Sequence, residues 1–179
     1  MKKMTKITMA SVVAFGTLFG VGYSIDNFQV NEAHAAQNQT VTPYYTYNGY
    51  AAKGTPSFVL NQTFINSLKY DNFKMNGVKI PYTTGKQALP NAIKNVQKYD
   101  QTFAITNSKG TVARYVTFKV NGKLTTKQLM NAYGNKLKLA TSAKGLKVYV
   151  YNPYKQHYGI AFYTNNGKVQ SVMIGHFVA

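Results

Sequence analysis

The spacing of apolar positions changes several times along the chain, and each change marks an element. An uncharged run from Ile7 to Tyr23 follows Lys2, Lys3 and Lys6, and Ala33-His34-Ala35 comes after it. A basic start, an apolar stretch and a small-residue A-x-A site are the parts of a secretory signal peptide, here residues 1–35 with cleavage after Ala35 or Ala36. Residues 36–56 read as a tyrosine-rich N-terminal segment and connector, and 57–179 as a single domain.

Within that domain Leu60, Phe64 and Leu68 recur every fourth residue behind Asn61, a residue able to cap a helix. Tyr70 to Ile80 reads as two short extended pieces around Asn76-Gly77. Thr83 to Lys86 reads as loop, and Pro90 sits where a first helical turn tolerates it. It leads into a predicted helix over Asn91 to Tyr99 with Ile93 and Val96 as its apolar stripe. From Gln101 the period becomes two, and the segments 102–106 and 111–120 flank Asn107-Ser108-Lys109-Gly110 as a hairpin.

Thr125 to Gln128 is a capping box, with Leu124 and Leu129 at hydrophobic-staple positions and Gly134 placed to stop the helix. A strand at Leu146 to Tyr151, a turn at Asn152-Pro153 and a hairpin closing on Asn165-Asn166-Gly167 complete the chain. This order predicts the α+β class: an antiparallel sheet with two or three short helices packed on one face. Helix then strands occurs twice, as it would in two diverged helix-plus-hairpin halves, although the order repeats and residue identity does not.

Charge alters the picture. The whole chain carries +17, and residues 36–179 carry 18 basic and only two acidic side chains, Asp71 and Asp100, a net charge of +16. Such an imbalance opposes folding by self-repulsion and attracts polyanions over a Debye length of about 8–10 Å. Seventeen of those basic residues are lysine and one is Arg114. Lysine meets phosphate as a point charge, whereas reading guanine edges favours bidentate arginine, so sequence-specific readout is not expected. The chain has no cysteine, which excludes disulfides and thiolate metal sites.

Strand faces then offer a surface. Val148 and Val150 alternate with Lys147, Tyr149 and Tyr151. Ile160 and Phe162 alternate with Ala161 and Tyr163, and Val116, Phe118 and Val120 with Tyr115, Thr117 and Lys119. With helices on the aliphatic side, the other side becomes a platform of rings among ammonium groups, the arrangement that single-stranded nucleic acids use. The candidate nucleic-acid contacts are Lys147, Tyr149, Tyr151, Tyr163, Tyr115, Lys119 and Arg114. Tyr45 and Tyr47 join them from the N-terminal segment, where they share one side with Tyr44 on the other. The plainer alternative for each ring is that it covers half-buried sheet. For Tyr45 and Tyr47 it is a strand packed on the domain rather than a free aromatic arm.

Catalysis has little to draw on. Two carboxylates and the histidines His157 and His176 do not form the carboxylate cluster of a metal-dependent nuclease, and no metal or cofactor is expected. A metal-free ribonuclease using His157, His176 and a lysine is the remaining catalytic reading. In the blocks KYDN (Lys69 to Asn72) and KYDQ (Lys98 to Gln101) each aspartate reads as a turn or capping residue.

TPYYTYNGY (Thr42 to Tyr50), KYDN with NGVK (Asn76 to Lys79), KYDQTF (Lys98 to Phe103), AYG (Ala132 to Gly134) and GH (Gly175, His176) form a colinear set across most of residues 36–179. The set resembles the immunodominant staphylococcal antigen B family. The segment Thr83 to Asn91 is longer here than in that pattern, and the chain stops soon after Gly175-His176. The resemblance implies a secreted protein, partly associated with the cell surface and recognised by host immune components. It further implies that the chain binds extracellular DNA and RNA without marked sequence preference. Charge alone equally allows a cell-wall or host-surface adhesion protein whose ligand is teichoic acid or another polyanion. After cleavage no membrane span is expected.

Overall fold

The computed structural model describes residues 42–82, 89–143, 145–154 and 158–177. Among these residues the fold is α+β, with ten strands in two sheets and two α-helices, the class that the order of the elements predicts. The small sheet has the order β1-β2-β3, from β1 (Tyr45–Tyr47), β2 (Phe73–Met75) and β3 (Val78–Lys79). The large sheet runs β4-β5-β6-β10-β9-β8-β7 and is antiparallel throughout. Its strands are β4 (Lys94–Lys98), β5 (Gln101–Ile105), β6 (Ala113–Lys119), β7 (Lys138–Ala143), β8 (Leu146–Tyr151), β9 (Tyr158–Asn165) and β10 (Lys168–His176). Thr83 to Lys86, read as loop, and His157 lie outside the described residues.

Local chemistry sets most of these boundaries. In α1 (Gln62–Lys69) the Asn61 side chain accepts from the Thr63 and Phe64 amides, and Phe64, Ile65 and Leu68 turn into the core. In α2 (Thr126–Tyr133) Thr125 and Gln128 form both halves of the capping box, and Leu124 and Leu129 are buried. Asn76-Gly77 and Asn166-Gly167 each take two positive φ values, as the tight turns of the β2–β3 and β9–β10 hairpins require.

The structure differs from expectation at three points. Residues 94–98 form an edge strand rather than a helix. Lys94 to Lys98 pair residue for residue with Gln101 to Ile105 across a two-residue turn, and exposure on both faces hides the alternation that would have marked a strand. Strand β7, exposed along its whole length, had no anticipated counterpart for the same reason. The third concerns β8. Its register sets Tyr149 against Phe162 and Tyr151 against Ile160, both fully buried, so Tyr149 and Tyr151 lie on the helix-covered face and Val148 and Val150 on the other. Burying a tyrosine ring removes far more area from water than burying valine, and Tyr133 of α2 closes on Tyr151 at 5.2 Å and on Phe162 at 5.4 Å.

The core also takes in the N-terminal strand. Tyr45 lies 5.7 Å from Phe64 and 6.3 Å from Phe58, and Tyr47 stacks on Phe58 at 4.1 Å. Strand β1 pairs in parallel with β2, and Tyr44 stays exposed on the opposite side. Phe58 in turn reaches Phe118 of the large sheet at 5.9 Å, which joins the two sheets through one apolar cluster.

Candidate nucleic-acid interface

The face of the large sheet that turns away from the helices is not sealed. One row across it runs Gln97, Thr102, Thr117, Met173, Ala161, Val150 and Lys138, and a second runs Lys119, Ser171, Tyr163 and Val148. Lys119 is exposed, Tyr163 is 37% exposed, and Tyr115, Thr117, Ser171 and Met173 are half-buried. The pairing places Lys119 and Tyr163 on either side of Ser171, about 10 Å apart across two strand spacings. Tyr115 shares this face further along β6, opposite Gly175.

The other sequence candidates are distributed differently. Lys147 is exposed at the start of β8, opposite the buried Thr164, whose hydroxyl donates to the Lys147 carbonyl at 3.0 Å. Tyr149 and Tyr151 are buried, and burial raises the Tyr151 phenol above its ordinary pKa. Arg114 spends its guanidinium on the Leu89 carbonyl at 3.1 Å. Tyr45 and Tyr47 are half-buried in the core, and burial raises both their phenols. The structure therefore sets Tyr115, Lys119 and Tyr163 on the open face, buries Tyr149 and Tyr151, and packs Tyr45 and Tyr47 half-buried against Phe58.

At the β5–β6 end the open face runs into a groove of about 600 Å³ lined by Lys53, Gln97, Asp100, Thr102, Thr117 and Lys119, with Ser171 beside them. The 51–53 segment forms one wall and is held from below. The Asp100 carboxylate accepts from the Ala51, Ala52 and Lys53 amides at 2.8, 2.7 and 3.0 Å, and the Lys123 ammonium donates to the Ala52 carbonyl at 2.6 Å. Burial alone would raise the Asp100 pKa. The amide donors outweigh it and hold the group below the usual carboxylate range.

Residues 44–174 match the sequence profile of the family described as immunodominant staphylococcal antigen B. The chain is 37% identical over 179 residues to the Immunodominant staphylococcal antigen B of Staphylococcus aureus strain USA300, covering 98% of this chain and 96% of the relative. The same figures hold for the proteins of that name in strains COL and N315. The chain belongs to the immunodominant staphylococcal antigen B family. No solved structure matches it.

In this antigen B homologue the blocks that mark the resemblance meet in space. The TPYYTYNGY block is fastened to NGVK and KYDQ: the Asn76 side chain accepts from the Gly49 amide at 2.6 Å and donates to the Gly49 carbonyl at 3.1 Å. Gln101 donates to the same carbonyl at 3.0 Å, and Asp100 holds the amides of Ala51, Ala52 and Lys53. The KYDN block works similarly, with Asp71 accepting from the Tyr82 amide at 2.6 Å. There burial prevails and raises the Asp71 pKa. His176 stacks beside Tyr82, bonds its carbonyl through Nε2 and packs 5.3 Å from Tyr158, and burial lowers its pKa.

Sequence reasoning passed over Tyr50, Lys53, Lys98 and Tyr99, which cluster beside the groove. The available signal was the position of Tyr99 between Lys98 and Asp100, inside a block read only for its aspartate.

Proposed function

We propose that this protein is secreted and binds DNA or RNA outside the cell without reading sequence, with lysines meeting phosphate and exposed tyrosines stacking on bases. The observation that carries the reading is the charge. Residues 36–179 hold 18 basic side chains against two carboxylates, and both carboxylates are committed to backbone amides. The ammonium groups of Lys53 and Lys119 flank a groove on an unsealed sheet face, a geometry suited to tracking a phosphate backbone. Only one guanidinium stands among those 18 basic side chains, which supports binding without base-specific contacts.

The reading is of a binder rather than an enzyme. Among the described residues no three histidine or carboxylate side chains gather to hold a metal, and His176 is tied to Tyr82. No helix among the described residues is long and apolar enough to cross a membrane.

A salt titration of residues 36–179 against labelled single and double strands of two unrelated sequences tests the proposal. Log K should fall linearly with log salt, by about 0.7–0.9 per phosphate neutralised, and equally for both sequences. Equal binding to a polyphosphate or teichoic acid of matched charge would overturn it in favour of polyanion adhesion at the cell wall or host surface.

A further inference from the structure

Tyr50 and Tyr99 are exposed by 46% and 53%, lie 49 positions apart in the chain, and meet edge to face with ring centroids 4.9 Å apart. They wall a cavity of about 410 Å³ with Asn48, Asn76 and Lys98. Tyr50 also borders a neighbouring space of about 390 Å³ that includes Lys53. The Lys53 ammonium stands 5.6 Å from the Tyr50 ring centre, and the Lys98 ammonium is anchored on the Asn76 carbonyl at 3.2 Å.

Two features separate this pair from the other exposed tyrosines. Its backbone is fixed on both sides: Gly49 by Asn76 and Gln101, and Ala51 to Lys53 by Asp100, which itself follows Tyr99. Tyr99 also has φ +56 at the first position of the two-residue turn between β4 and β5. Glycine would be relaxed there, whereas a large L side chain is strained. Tyr70 and Tyr44 each lie near a lysine ammonium, at 5.5 and 5.9 Å, but neither lines one of these cavities. A strained backbone presenting an exposed ring to a second pinned ring, between two ammonium groups, is arranged for a planar partner that carries negative charge.

We infer that Tyr50 and Tyr99 form a stacking corner for an unpaired base of a single-stranded nucleic acid, with Lys53 and Lys98 holding the phosphates on either side. This rests on the nucleic-acid reading above and adds a strand preference: a base inside a duplex cannot reach the rings, so the corner serves single strands. Every base has a π-face, so the corner is indifferent to sequence.

The test uses Tyr99→Gly and Tyr50→Leu in residues 36–179, binding a labelled 20-mer oligothymidylate, a 20-base-pair duplex and polyphosphate of matched charge. Each variant should lose roughly tenfold affinity for oligothymidylate. Duplex and polyphosphate binding should change by less than about threefold, and the salt slope should hold because no charge is removed. Tyr99→Gly relieves the turn, so its thermal midpoint should stay level or rise while its single-strand binding falls, a combination that a merely structural role does not produce. Wild-type binding to oligothymidylate that exceeds polyphosphate, with both variants unchanged, would overturn the corner alone. Wild-type binding that does not distinguish oligothymidylate from polyphosphate would overturn the nucleic-acid reading and the corner with it.

Discussion

Replacing Asp100 with alanine should cost this protein about 2 kcal/mol at neutral pH. Three amides, of Ala51, Ala52 and Lys53, donate to its two oxygens within 3.0 Å. A typical hydrogen bond contributes about 0.5–1.5 kcal/mol net, and one to a charged group about 1.5–3. The carboxylate borders an open groove, so the lower range applies. Three bonds at about 0.5–1 kcal/mol each, net of exchange with water, total about 2 kcal/mol. That is a large share of the roughly 5–15 kcal/mol that holds a domain together. Asp100→Asn retains one acceptor oxygen and should lose about half as much.

The pH dependence follows from the direction of the shift. The folded pKa of Asp100 lies below its unfolded value, so its stabilisation is fully present above the unfolded pKa, about 3.9, and disappears as pH falls through the folded pKa. Urea unfolding followed by far-UV circular dichroism, on wild type and Asp100→Ala at pH 7 and pH 3, measures both quantities. A difference below about 0.5 kcal/mol at pH 7, or one that keeps its full size at pH 3, would refute the pinning role.

Two further substitutions test the fold. Tyr151→Ala should destabilise by about 3–5 kcal/mol, because it empties a site between Tyr133 and the sheet, whereas Tyr163→Ala on the open face should stay within about 0.5 kcal/mol; denaturant midpoints for the pair decide whether the β8 register is right. Asp71→Asn should leave stability unchanged or raise it at pH 7. The folded pKa of Asp71 is raised, so its ionisation penalises the fold as pH climbs from the unfolded towards the folded pKa, and asparagine keeps an acceptor for the Tyr82 amide while tolerating φ +57. Thermal midpoints at pH 7 and pH 4 should show the advantage of the variant shrinking in acid.

Elements whose signals are local were legible in the sequence. The Asn61 cap, the Thr125–Gln128 box and the Asn-Gly turns act through neighbouring residues, and each stands where its pattern put it. What failed depended on strand pairing and packing rather than on capping or turn residues. Strand β4 shows a helical spacing of Ile93 and Val96 that pairing with β5 overrides. In β8 both faces are apolar, so alternation could not say which one the helices cover, and the choice fell to Tyr133. The candidate site divides in the same way. Tyr115, Lys119 and Tyr163 were found because β6 and β9 each have one plainly aliphatic face. Tyr50 and Tyr99 escaped because each sits outside a strand, and only the folded chain brings their rings together.

Strand β1 makes a cut ahead of the first helix costly. Proteolysis is usually expected to shave an exposed leading segment without consequence. Here a cut beyond Tyr47 would carry away the rings that cover Phe58, Phe64 and Phe73, uncovering three adjoining phenylalanines on a chain whose like charges already push it apart. Trimmed molecules would then have a core open to water, so β1 acts as a stopper on it, and Tyr45 and Tyr47 are what make the stopper fit.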